Sequence, residues 1–213
     1  MDENFWHDRW KKNDISFHQN EANPNLVTHF HNLPIKEKSR IFIPLCGKTL
    51  DISWLLSKGY CVAGSELSEF AIDELFKQLE ISPKVDERGA IKHFHAPNID
   101  IYAGNIFELN KEILGSVNAV YDRGAYVALP ETIRAQYSQH LINITNNAPQ
   151  LLVAYEYNQS LMDGPPFSIQ PTEIEANYIK SYEITNLNSQ DVEGGLKGIC
   201  AAKENVWLLQ ERT

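Results

Sequence analysis

The chain has 213 residues, 43% of them hydrophobic and 22% charged, a composition that buries one substantial core. Its 28 acidic side chains outnumber 19 basic ones, a net charge of −9, which argues against the broad cationic face that nucleic acid or anionic lipid selects. No apolar run nears the roughly twenty residues of a membrane span, and the start MDENFWHDRW lacks the apolar stretch of a signal peptide. Cys46, Cys61 and Cys200 are far apart and without CxxC spacing, which speaks for a reducing cytoplasm and against a thiolate metal site.

In chain order, residues 5–19 (FWHDRWKKNDISFHQ) come first, and they are unusually aromatic. Trp6 and Trp10 stand four apart, so one helical face presents both. They either seal the bottom of the core or form a lid that Phe17 and His18 help to close. Residues 40–46 (RIFIPLC) predict a buried strand, and residues 50–58 a helix with Ile52, Leu55 and Leu56 on one face, stopped by Gly59. A second strand is predicted over 60–66, then a helix from Ser68, a natural N-cap, to about Leu79. Further strands are predicted at 99–103, 117–122 and 151–157. A long helix opens at Pro130 and runs to about Asn146. Residues 163–166 (DGPP) read as loop and 173–180 as a short helix, and the tail from Tyr182 holds two more β-like stretches. Short apolar strands alternating with helices predict a parallel sheet covered by helices.

Gly47-Lys48-Thr49 imitates the end of a phosphate-binding P-loop. That motif needs a glycine five positions earlier, where this chain has Phe42, so no glycine-rich arch wraps a triphosphate. The segment instead reads as a loop at the carboxyl end of the first strand, where open α/β sheets bind ligands. A single glycine there suits a cofactor with an adenosine but no pyrophosphate. Glu66 ends the second strand about twenty residues on, where a carboxylate meets ribose hydroxyls. Together these features point to S-adenosylmethionine.

Tyr121-Asp122-Arg123-Gly124 ends the fourth strand, facing the pocket across the cofactor. Asp122 offers hydrogen-bond acceptors and Arg123 a site for an anionic group. A solvent-exposed salt bridge capping the strand is the alternative. The pairs His29-x-His31 and His93-x-His95 stand isolated from cysteines and predict no metal. No G-x-S-x-G elbow is present.

Taken in order, FWHDRW, SFHQNEANP, IPLCGKTLDISWL, GSELSEFAI, IYAGNIFEL, YDRGAYVAL and DGPPFSI resemble the bacterial thiopurine S-methyltransferases almost end to end. The resemblance implies an α/β, Rossmann-like class I methyltransferase fold: a mostly parallel seven-stranded sheet with helices on both faces and an N-terminal helical lid. Residues 1–213 would form a single domain, with 1–35 as lid segment and 36–213 as core. It implies S-adenosylmethionine contacts at Trp10, Leu45, Glu66, Asn105, Ile106 and Arg123, with Asn105-Ile106 near the adenine. Phe17, Arg123, Pro166 and Phe167, with Pro165, would border the acceptor. Bacterial members often carry aspartate where this chain has Asn105. Animal members carry an arginine in the loop before the last strands that helps hold the thiopurine, where this chain reads Asp191-Val192-Glu193-Gly194-Gly195.

The implied activity is methyl transfer to the thiol of a small aromatic or heterocyclic acceptor, by a cytoplasmic monomer with no nucleic-acid or membrane partner. Rival readings are methylation of selenium, tellurium or other small sulfur compounds, and cofactor binding without turnover. An aromatic thiol ionises near neutral pH, so no catalytic base is obligatory, and Arg123 assists by favouring the thiolate.

Overall fold

A computed structural model describes residues 3–12, 14–15 and 18–212. The elements are α1 (Glu3–Lys11), α2 (Pro24–His29), β1 (Arg40–Ile43), α3 (Leu50–Ser57), β2 (Cys61–Glu66), α4 (Glu69–Gln78), β3 (Lys84–Arg88) and β4 (Ile91–Ala96). They continue with β5 (Ile99–Ala103), α5 (Lys111–Leu114), β6 (Ala119–Arg123), α6 (Glu131–Thr145), β7 (Gln150–Tyr157), α7 (Pro171–Tyr178), β8 (Tyr182–Asp191) and β9 (Ala202–Glu211). No helix among the described residues is long and apolar enough to cross a membrane.

All nine strands lie in one sheet, in the order β3-β4-β5-β2-β1-β6-β7-β9-β8. From β5 to β7 the neighbours run parallel. The hairpin β3–β4 and the pair β9–β8 flank this centre antiparallel. Nine strands replace the seven expected from sequence, and the two additional ones are β3 and β4. All five residues of β3 are exposed, so no alternation of apolar and polar side chains announces it.

Successive strand residues feed opposite faces of the sheet. Phe42, Val120 and Leu152 pack with Tyr137 and Leu141 of α6 and Ile174 of α7. Ile41, Ile43, Val62 and Leu151 pack on the other face with Leu26 of α2, Ile52 and Leu55 of α3, and Ile72 of α4. Both faces are covered, as a parallel centre requires.

The helix ends follow the capping signals in the sequence. Ser68 Oγ accepts from the Ala71 amide at 3.3 Å and starts α4. Gly59 follows the end of α3 with φ +82, a conformation that glycine adopts without a Cβ penalty. The strand expected over 40–46 ends at Ile43, because Leu45 turns into the left-handed region at φ +47.

Candidate active site

A cleft of about 360 Å³ opens at the carboxyl ends of the central parallel strands. Its floor is the loop after β1. Leu45 and Gly47 both carry positive φ, +47 and +51. The loop is tied to β2: the Leu45 amide donates to Ser65 Oγ at 3.2 Å, and the Cys46 amide to the Ser65 carbonyl at 2.8 Å. A non-glycine residue in the left-handed region is strained, and here it turns the Leu45 side chain into the cleft wall.

Glu66, the last residue of β2, lies between two loops and is 6% exposed. One carboxylate oxygen accepts from the Gly47 amide and the other from the Ser68 amide, both at 2.8 Å. Burial pushes its pKa up; the bonds from the Ser68, Gly47 and Leu67 amides pull the other way without prevailing. The carboxylate is therefore held in one orientation, with lone pairs left for two further donors.

Helix α1 covers this floor. Trp6, Arg9 and Trp10 all line the cleft, so the face with two tryptophans is turned toward it. Trp10 is 4% exposed and rests on the loop: a Cβ at Gly47 would come within 2.8 Å of the indole. The helix is tethered by Asn105, whose side-chain amide donates to Glu3 at 2.9 Å.

Arg123 ends β6 and lines the opposite wall with Gly124, Val127 and Ala128. Asp122, beside it, points away into the core. Its oxygens accept from the Tyr126 amide at 3.0 Å and the Tyr137 hydroxyl at 2.7 Å. Burial raises its pKa to about 6. The exposed salt bridge weighed from sequence is thereby excluded for Asp122, which has no exposed surface. Asp122 instead fixes the turn from which Arg123 projects.

Four cations line the cleft: Arg9, Lys48, Arg123 and Lys197. Arg9 pairs with Asp14 at 3.0 Å and Lys48 with Glu74 at 3.9 Å. Among the described residues, Arg123 and Lys197 have no acidic partner within ion-pair reach. Lys197 donates to the Pro165 carbonyl at 2.8 Å, and desolvation followed by the nearby Arg9 charge lowers its pKa. His18 also lines the cleft; desolvation, then the charges of Lys48 and Arg123, lower its pKa and favour the neutral imidazole.

The structure gathers Trp10, Leu45, Glu66, Arg123, Pro165 and Pro166 around one cavity. Asn105, Ile106 and Phe167 are not among its lining residues. Asn105 is engaged with Glu3 and with the Phe107 amide, Ile106 is buried in the core, and Phe167 bonds the Val127 carbonyl through its own amide. Phe167 sets its ring against Gly164, the residue before the two prolines. Phe17 lies outside the described residues.

Sequence reasoning missed Lys197. The stretch from Asp191 to Gly195 is acidic and its Asp191 and Glu193 are exposed; Lys197, two residues beyond it and also exposed, borders the cleft. The available signal was the run Gly194-Gly195-Leu196-Lys197-Gly198, whose three glycines all take positive φ and fold the segment back.

A family model described as Thiopurine S-methyltransferase (TPMT) matches residues 1–212. The chain is 50% identical over 211 residues to the thiopurine S-methyltransferase of Xanthobacter autotrophicus, spanning 99% of both chains. It is 49% identical over 209 residues to that of Teredinibacter turnerae, spanning 98% of this chain and 97% of the relative. In fold it is similar to a SAM-dependent methyltransferase from Anabaena variabilis, with TM-score 0.65, 14% identity, and 99% and 95% of the two chains covered. It is also similar to the 1,6-didemethyltoxoflavin-N1-methyltransferase of Burkholderia thailandensis, solved with 1,6-didemethyltoxoflavin and S-adenosylhomocysteine. That match has TM-score 0.65 and 13% identity, and covers 99% of this chain and 87% of the other.

Proposed function

The chain belongs to the thiopurine S-methyltransferase family, whose members methylate sulfur with S-adenosylmethionine, and on that premise we propose that its acceptor is a small aromatic or heterocyclic thiolate held by Arg123. One observation carries this reading: a half-buried guanidinium in the cleft wall with no acidic partner among the described residues. Such a cation needs an anion, and the cofactor's own sulfonium is positive. Lys197 adds a second cation without an acidic partner among the described residues, and Pro165, Pro166, Val127 and Leu196 give the apolar walls that suit an aromatic ring.

The residues present fit S-adenosylmethionine. Glu66, fixed by two amides, accepts from ribose hydroxyls, and Leu45 and Trp10 flank the cofactor. The loop's single glycine offers no pyrophosphate cradle. Asn105 and Ile106 serve the adenine once Glu3 gives up the Asn105 amide. Phe17 is assigned to the acceptor by sequence resemblance alone, and Phe167 acts on it through Gly164, the residue before Pro165 and Pro166. When bound, the cofactor supplies the methyl group as an activated sulfonium. This chain's part is to orient the acceptor, exclude water and keep its sulfur ionised. No obligatory base is needed for a thiol that ionises near neutral pH.

Arg123 tests the proposal. Arg123→Ala should lower kcat/KM for an aromatic thiol by about tenfold or more, the worth of one lost bond to a charged group. Arg123→Lys, which keeps the charge but not the planar fork, should lose less. In the alanine variant the acid limb of the pH–rate profile should move to higher pH, because the thiol ionises less readily without the cation. An unchanged rate and profile in a folded variant would refute the assignment. A loss explained entirely by weaker S-adenosylhomocysteine binding would move Arg123 to the cofactor alone.

The lid gives a second test. Hydrogen exchange across residues 5–19 should slow when S-adenosylhomocysteine and a thiol are bound together. Equal exchange with and without ligands would leave α1 as a core seal.

A further inference from the structure

The antiparallel hairpin at the far edge of the sheet assembles a second polar cluster. His93 and His95 are two apart on β4 and therefore face the same way. Register places Asp86 of β3 opposite His93, and Asp100 of β5 opposite His95. Directly opposed residues share a face, so Asp86, His93 and His95 converge, with Asp100 beside His93. None of them lines the methyl-transfer cleft.

We propose that Asp86, His93 and His95 bind one divalent transition-metal ion of the Zn²⁺ type, with Asp100 adding negative charge beside it. One donor atom from each of the three ligands lies within 4.8 Å of the other two. Zinc bonds of about 2.0–2.2 Å in a tetrahedron separate neighbouring donors by about 3.3 Å, so the trio must close by about 1.5 Å at most. Asp86, with 53% of its side chain exposed and a loose 3.9 Å pair to the equally exposed Arg88, can make that adjustment. One ligand pair already has nearly the required spacing, His95 Nε2 to Asp86 at 3.1 Å, while His93 Nε2 is held by Asp100 at 2.8 Å and leaves Nδ1 for an ion.

The surroundings hold the ligands in place. The His93 ring stacks on Tyr102 with centroids 4.7 Å apart and on His95 at 4.8 Å. Arg40 fixes the second oxygen of Asp100 at 2.8 Å and also donates to the Tyr102 hydroxyl at 3.1 Å. Two imidazoles and a carboxylate form a borderline donor set, suited to Zn²⁺, Ni²⁺ or Cu²⁺ and not to Mg²⁺ or Ca²⁺. An ion bound there joins β3 to β4 through side chains. That edge strand is wholly exposed and hydrogen-bonded to β4 alone.

The test is calorimetric titration of ZnCl₂ into the full, untagged chain after chelator treatment and dialysis. One ion per chain is expected, with affinity weakened by at least tenfold in His95→Ala and in Asp86→Ala. Zn²⁺ should also slow hydrogen exchange over residues 84–88 in the unaltered protein and not in His95→Ala. S-adenosylhomocysteine affinity should stay unchanged in both variants, which shows them folded and separates this site from the cofactor cleft. The His29→Gln/His31→Gln double variant should bind Zn²⁺ as the unaltered protein does. The proposal is overturned if the unaltered protein takes up no stoichiometric Zn²⁺. It is equally overturned if uptake survives His95→Ala at full strength, or is lost instead from the His29/His31 variant.

Discussion

Alanine in place of Glu173 is expected to lower the unfolding free energy by about 3 kcal/mol, the low end of the cost of breaking a buried ion pair, because Glu173 keeps 21% of its side chain exposed. Arg134 of α6 is 4% exposed. Its Nε and Nη2 bond the two carboxylate oxygens of Glu173 at the start of α7, and its Nη1 bonds the Leu129 carbonyl at 2.9 Å. Tyr126 adds a hydroxyl bond to the same carboxylate at 3.0 Å. Removing the acid leaves a guanidinium in the core with one neutral acceptor and takes a partner from Tyr126. Glu173→Gln retains one acceptor and should fall between alanine and the unaltered protein. Urea unfolding followed by circular dichroism reads the difference; a loss below about 1 kcal/mol would mean that the pair is dispensable. The effect should reach the cleft, because Tyr126 belongs to the turn that also presents Val127 and Ala128. A raised KM for the thiol in the surviving folded fraction is the expected sign.

Glu66→Ala is expected to weaken S-adenosylhomocysteine binding by tenfold to about a hundredfold, since bonds to a charged group are worth about 1.5–3 kcal/mol. Two losses would combine: the acceptor proposed for the ribose, and the partner of the Gly47 and Ser68 amides that holds the two loops together. Glutamine should not rescue. Its amide nitrogen must face one of those N–H groups, donor against donor, while alanine leaves room for water. Burial has raised the pKa of Glu66 above the ordinary carboxylate value, so its protonation on acidification begins at a higher pH than for a solvated glutamate. Cofactor affinity in the unaltered protein should fall with that protonation, and the alanine variant should lack this pH dependence. Calorimetry across pH checks both statements, and an affinity unchanged by the substitution would remove Glu66 from the site.

The central strands and the cofactor loop were legible because their physics is local. A run such as Ile99–Ala103 is apolar and bounded by turn residues, and its predicted limits coincide with β5. Gly59 and Ser68 mark helix ends by backbone freedom and hydroxyl geometry alone. The hairpin escaped because an exposed strand carries no hydrophobic period, and with it escaped the meeting of Asp86 with His93 and His95. Only strand pairing brings those residues together. Lys197 escaped for a related reason: the direction of a lysine in a glycine-rich loop depends on a fold-back that residue types do not encode. Asp122 was recognised as an acceptor but not as a core residue, because sequence cannot say which of two adjacent strand-end side chains turns inward. The seven-strand expectation counted every strand with an apolar signature and omitted the two whose stability comes from their neighbours.

The cleft takes its walls from widely separated parts of the chain. Trp6 and Trp10 lie near the beginning, Glu66 and Arg123 in the middle, and Leu196 and Lys197 close to the end. On the ribosome the tryptophans emerge first and have nowhere to dock until β1 and β2 have paired and formed the Gly47 turn. The strands that carry Glu66 and Arg123 are made while more than seventy residues still lie ahead before Lys197. At some 5–20 residues per second, that leaves several seconds in which a nascent chain has Glu66 and Arg123 but not the last part of the cleft wall. The cleft is thus complete only once synthesis is almost finished. A translation product interrupted after β7 would carry Glu66 and Arg123 while lacking Leu196 and Lys197 from the cleft wall.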